Sequence, residues 1–140
     1  MITIEVRGLP APQGSKRHVG HGVMVESSKA VGPWREAVRA ETQRHVSKPL
    51  AGPVMVEITF GLPRPKGHYG TGKNAGKVRE SAPWFPSGRP DLDKLARAVL
   101  DGLTAGGAWV DDAQVVYLTA RKIYQTAGCA IRIQGVGEES

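Results

Sequence analysis

The apolar residues change period along the chain, and that change restricts the fold more than any other feature. Ile2, Ile4 and Val6 alternate with Thr3, Glu5 and Arg7, and Val54, Val56, Ile58 and Phe60 alternate with Met55, Glu57 and Thr59. A repeat of two puts one set of side chains on one face, so both segments read as half-buried strands. Elsewhere the repeat is helical. Pro33 suits a first helical turn, and Trp34, Ala37, Val38 and Glu41 keep helical spacing up to about His45, before Pro49 and Gly52 end the element. Leu92, Leu95, Ala96, Val99 and Leu103 form a second amphipathic stripe that stops at Gly106-Gly107. Two more strands are expected over 115–124 and 128–134, paired antiparallel through a Gln125-Thr126-Ala127 turn. This order predicts an α+β domain of two layers, a mixed or antiparallel sheet of about four strands with two main helices on one face.

With 140 residues and about 15 kDa, the chain reads as a single domain over 1–140. Cys129 is the single cysteine, so an intrachain disulfide is excluded, which fits a reducing cytoplasm. It lies in the apolar run Cys129-Ala130-Ile131-Arg132-Ile133 and is expected to be a buried structural thiol. The N-terminus lacks signal-peptide architecture, and the apolar runs are too short to span a bilayer. A cytoplasmic protein with no membrane partner is therefore expected. His18, His21, His45 and His68 show no metal-ligand spacing and read as surface residues.

Two stretches lack periodicity. Residues 10–22 form a Gly-rich loop carrying Lys16 and Arg17, followed by an extended Val23-Met24-Val25. Residues 63–90 form a flexible basic insertion, unusually long for a compact domain. Arg64, Lys66, Lys73, Lys77, Arg79 and Arg89 face Glu80 alone, and Tyr69, Trp84 and Phe85 are interleaved. One reading is a solvated, disordered insertion. The other is a cationic arm that holds phosphates and stacks on unpaired bases.

The formal net charge is +6, yet all five aspartates fall between Asp91 and Asp112. Asp91 and Asp93 sit where a helix starts, so capping and the macrodipole give them an ordinary role. Asp93, Arg97 and Asp101 follow at i, i+4 and i+8, which reads as an ion-pair ladder with Asp101 as the partner of Arg97. Asp111-Asp112 is harder to explain, because adjacent acids repel, although aspartate is common in turns. A helix start with two carboxylates, brought beside a strand start with two more, would supply oxygen ligands for Mg²⁺. In a basic chain this suggests phosphodiester chemistry.

The pattern Asp-Leu-Asp-Lys-Leu-x-Arg-Ala-x-x-Asp-Gly-Leu, then Gly-x-x-x-x-Asp-Asp-Ala-Gln-Val-Val, resembles the RusA family of crossover junction endodeoxyribonucleases. The resemblance is dense from Arg89 to Val116 and looser elsewhere. It implies that Asp91, Asp93 and Asp112 carry Mg²⁺-dependent cleavage, with Mn²⁺ as an alternative ion and Asp111 as a neighbouring ligand. It also implies a four-way DNA junction as substrate and a homodimer as the assembly. Lys94 stands where the family usually has Asn, and Arg97 where it usually has Lys. Arginine keeps a positive charge near the phosphate but is a poor proton donor. Lys16, Arg17, Lys94, Arg89 and the cations of the arm are the expected DNA contacts. Two rival readings remain: a non-catalytic basic DNA-binding module, and a nuclease with a broader taste for branched or flapped DNA.

Overall fold

The computed structural model describes residues 1–14, 16–18, 24–26 and 29–137, with backbone only for 16–18 and 24–26. The chain order is β1 (Ile2–Arg7), β2 (Lys16–His18), β3 (Met24–Glu26), α1 (Val31–His45), β4 (Val54–Leu62), α2 (Leu92–Ala105), β5 (Val115–Tyr124) and β6 (Gly128–Gly135). Among the described residues, β1, β6, β4 and β5 form one mixed sheet in that spatial order. β2 falls inside the expected loop and pairs antiparallel, as a separate ribbon, with β3, which takes up Met24 and Val25 of the expected extended piece. Lys16-Arg17-His18 has no apolar alternation to announce a strand. The Val23 part of the expected extended piece lies outside the described residues.

The alternation sorts the side chains as expected. Along β4, Val54, Val56, Ile58 and Phe60 are buried while Met55, Glu57 and Thr59 are only half-buried. Ile4 and Val6 of β1 and Cys129, Ile131 and Ile133 of β6 join the same core. Trp34 and Val38 of α1 and Leu95, Val99 and Leu103 of α2 close it from the helix side. The opposite sheet face keeps polar residues, including an Arg132–Glu57 pair at 3.5 Å. Truncating a buried leucine such as Leu103 to alanine is expected to cost roughly 2–5 kcal/mol. The two helices pack closely because Gly102 carries no side chain there. A Cβ at Gly102 would stand 2.7 Å from Val38 Cβ.

One strand pairing differs from expectation. β5 and β6 do not form a hairpin, because β4 lies between them, parallel to β5 and antiparallel to β6. Residues 125–127 instead bridge two strand spacings, about 9.5 Å, across the end of β4. The Gln125 N–H donates to Leu62 O at 2.9 Å as the bridge begins. Gly61 makes the crossing fit, since a Cβ there would meet Thr126 O at 2.4 Å. The outcome leaves β5 at the edge of the sheet.

Candidate functional site: acid pairs at the two ends of one helix

Asp91 occupies the N-cap position of α2, with extended φ −69° and ψ 135°, but its carboxylate makes no capping hydrogen bond. The ordinary capping role therefore does not account for it. The carboxylate is exposed, with Lys94 Nζ at 3.8 Å from Oδ2. Asp93 is exposed in the first turn and its Oδ1 accepts the Lys94 N–H at 2.9 Å. The segment before the helix is fastened from β5: Lys122 Nζ donates to Gly88 O at 2.7 Å and to Pro90 O at 2.9 Å. From the other side, the Gln13 N–H donates to Lys94 O at 2.9 Å. Asp91 opens onto a cleft of about 720 Å³ whose walls include Leu9, Pro10, Leu62, Arg89 and Lys94.

The ladder on α2 is not as expected. Asp101 turns to α1, where Arg35 Nη1 lies 3.8 Å away. The reason is the close helix contact at Gly102, which brings the Arg35 backbone within 3.1 Å of a Cβ position next to Asp101. Arg97 is exposed and makes no hydrogen bond or ion pair among the described residues. Its charge remains uncommitted.

At the second pair the two aspartates differ. Asp111 caps a 3-10 turn, Asp112–Gln114, by accepting the Ala113 N–H at 2.9 Å. Gln114 completes a reciprocal cap, its Oε1 accepting from the N–H groups of Val110 at 3.0 Å and Asp111 at 3.1 Å. Gln114 Nε2 donates to Leu50 O at 3.0 Å and Gly52 O at 2.8 Å, tying the turn to the start of β4. Asp112 is exposed and has no such bond among the described residues. The turn explains Asp111 and leaves Asp112 unexplained.

Within one chain the two pairs are not brought together. The start of α2 is tied to Lys122, which sits opposite Phe60 near the end of β4. The C-terminal end of α2 lies at the other end of the sheet, where the Leu50 N–H donates to Ala108 O at 2.8 Å and Gln114 holds Leu50. A helix of 14 residues is about 21 Å long, and this length separates Asp91 and Asp93 from Asp111 and Asp112. No group of three metal-binding side chains occurs among the described residues. Asp91 and Asp93 alone fit a Mg²⁺ ion, which binds one or two carboxylates and takes its other ligands from water and phosphate. Asp112 of the same chain does not reach that position.

The basic segment is only partly available for DNA. Arg64 lies over the Tyr124 ring at 4.3 Å and donates to Pro83 O at 2.8 Å, while His68 meets the same ring edge-on at 5.4 Å. Arg79 Nε donates to Tyr69 O at 2.8 Å. Arg64 and Arg79 thus hold the segment's own shape. Lys66, Lys73, Lys77 and Arg89 are exposed, as are Trp84 at 79% and Phe85 at 63%. The backbone is irregular apart from 3-10 turns at Lys66–His68 and Gly72–Asn74. The side chains of Lys16 and Arg17 lie outside the described residues.

Cys129 is buried, and burial pushes its thiol up to about 12, so it is an unreactive core group as expected. No helix among the described residues is long and apolar enough to cross a membrane. Lys122 is the positioning residue that sequence reasoning missed. Its signal is parity, because Leu118, Ala120 and Lys122 share the strand face that turns toward the helices, where a lysine needs a partner.

Comparison with known proteins agrees with the acid pattern. Three relatives, from Escherichia coli (strain K12), Escherichia coli (strain UTI89) and Shigella sonnei (strain Ss046), are each named crossover junction endodeoxyribonuclease RusA. Each is 50% identical over 40 residues, which covers 29% of this chain and 33% of the relative. The aligned part therefore spans about a third of these relatives. A family model described as Endodeoxyribonuclease RusA matches residues 6–134. Since that match takes in β4, β5, nearly all of β6, both helices and all five aspartates, the chain belongs to the RusA endodeoxyribonuclease family.

Proposed function

We propose that this protein is a metal-dependent endodeoxyribonuclease that resolves four-way DNA junctions by paired symmetric nicks. The observation that carries the reading is that Asp91, Asp93 and Asp112 are exposed carboxylates, with no capping bond from Asp91 or Asp112, in a chain of this family. Asp91 and Asp93 are the residues to hold Mg²⁺, or Mn²⁺, and Asp112 is the third acid on which cleavage depends. A bound divalent ion would supply an activated water and stabilise charge developing on the phosphate. Arg97, with a guanidinium free of ion pairs among the described residues, stabilises the same charge without moving a proton. Lys94, between Asp91 and Asp93 in its contacts, adds to the positive field at the helix start. Lys66, Lys73, Lys77 and Arg89 hold DNA strands, and Trp84 and Phe85 offer faces to unpaired bases. A homodimer in the cytoplasm, with one centre per scissile strand, suits a two-fold substrate.

The test is to incubate the pure protein with a synthetic four-way junction, a duplex and a fork, with and without Mg²⁺, and map the nicks. Paired nicks in the junction alone, only with Mg²⁺, and their loss in Asp112→Asn, are expected. Forks cut as readily would indicate a broader branched-DNA nuclease. Salt-sensitive binding without any nicking would indicate a binding module.

A further inference from the structure

We propose that the cleft beside Asp91 is a nucleobase site, which takes one base turned out of the stack of the scissile strand, next to the phosphate held at Asp91 and Asp93. This rests on the nuclease reading of those acids. Its starting point is the size of the hollow, about 720 Å³, which falls in the range of roughly 300–1,000 Å³ found for small-molecule sites. Holding a phosphate on the surface needs no such depth.

The lining divides into two kinds of chemistry. Leu9, Pro10, Pro12, Leu62 and Pro90 give the cleft apolar walls, while Arg89, Asp91 and Lys94 are its charged groups. Leu62 is only 7% exposed and yet lies outside the continuous core, so its apolar surface serves the cleft. Leu9 is 64% exposed, an apolar side chain that the fold itself leaves uncovered. Proline rings and branched aliphatic side chains suit the faces of a base, which stacks between apolar groups in sites of this kind. A nucleotide joins such a flat body to an anion, and a phosphate on a metal at Asp91 and Asp93 has its base one sugar away. A wholly apolar ligand would desolvate Arg89, Asp91 and Lys94 with nothing in return. The charge pattern therefore favours a nucleotide as occupant.

The cleft is also preformed. Gln13, which lines it, is held twice: its N–H donates to Lys94 O at 2.9 Å, and its Oε1 accepts from Arg35 Nη1 at 3.1 Å. Pro90 is held by Lys122, whose Nζ donates to its carbonyl at 2.9 Å. Walls fixed in advance spare the ordering cost of binding. Such a site selects branched DNA by energy. A base inside an intact duplex must give up stacking and pairing to reach the cleft, whereas one at a branch point has already lost part of both. The scissile phosphate then seats on the acids only where the neighbouring base can leave the stack.

The experiment places 2-aminopurine, a base that brightens on leaving the stack, singly at each position flanking the nick of a synthetic four-way junction. Asp112→Asn in Mg²⁺ holds the complex uncut. One flanking position is expected to brighten severalfold on binding, and hardly at all in a duplex of the same sequence. No brightening at any position would overturn the proposal. Leu9→Trp obstructs the cleft from an exposed position, so folding is untouched. Added to Asp112→Asn, it is expected to abolish the brightening, and a base that still brightens leaves the stack for another reason, which is equally fatal. In the otherwise wild-type chain, Leu9→Trp should keep junction affinity and cut about tenfold more slowly, through misplacement of the scissile phosphate. An abasic residue at the bright position has no base to house and should relieve that loss. Wild-type cutting by Leu9→Trp, or a loss that the abasic junction leaves in place, would remove the base site. Brightening needs binding and not cutting, so a wild-type protein that brightens the base in Mg²⁺ but never nicks the junction would defeat the nuclease reading and leave the base site standing.

Discussion

The start of α2 and the turn before β5 each present two aspartates, and the fold treats them in opposite ways. At α2 the N-cap position holds an aspartate that does not cap, and both carboxylates remain exposed. At the turn Asp111 is bound into a reciprocal cap with Gln114, and only Asp112 is left over. Residue type is the same in both places. What differs at the two N-cap positions is whether the carboxylate takes up a backbone N–H: Asp111 accepts from Ala113 and is held in its turn, and Asp91 accepts from none.

The strongest way to break this contrast is to neutralise the two members of the second pair separately. Asp112→Asn is expected to lower junction cleavage on the order of 10³-fold, the scale of losing a group that acts on the transition state. Asp111→Asn keeps a side-chain acceptor and should cut almost as wild type does. Equal losses in strand-nicking assays would erase the distinction between them. Next comes Gln114→Ala, which removes all four hydrogen bonds of that side chain. At about 1 kcal/mol for each of the better bonds, it should cost roughly 2–4 kcal/mol in urea unfolding. An unchanged midpoint would mean that the turn is held by something else.

At the α2 end, Lys122→Met keeps the aliphatic stem but removes both donors to the Gly88–Pro90 segment. Single-turnover cleavage should fall about tenfold from misplacement of Asp91, with junction affinity largely retained. A loss of affinity alone would assign Lys122 to DNA contact. The smallest effects concern stability. Asp111→Ala should cost about 1 kcal/mol for a lost cap, and Asp91→Ala at the other N-cap position should cost almost nothing. Thermal denaturation of the two variants side by side would expose an error in either assignment.

Much of this was legible from the residues themselves. The repeats of two and of 3.6 located β1, β4, α1 and α2, because each of these buries one face in the single core. The reciprocal cap also had a local signature, Asp111-x-x-Gln114, of the kind that starts a helix. Pairing was less accessible. Residues 115–135 look like a hairpin because strand-turn-strand is a local pattern, whereas the insertion of β4 between them is a long-range event whose one trace is Gly61. The separation of the acid pairs was hidden for the same reason. Spacing in sequence says that twenty residues lie between them, and only the direction of α2 along the sheet says that they span its length.

The crossing at Gly61 also governs how the sheet can be made. With β4 between β5 and β6, the main sheet has no hairpin of neighbouring strands to form first. Its first strand pairs with its last, Ile2 opposite Ile133. Every ladder in it must therefore close a long loop before gaining any contacts, which slows folding relative to helical or hairpin-rich domains of similar size. During synthesis β1 must wait for β6, the last strand to emerge. Its Ile4 and Val6 stay exposed until then, and expression conditions that shorten this wait should raise the soluble yield.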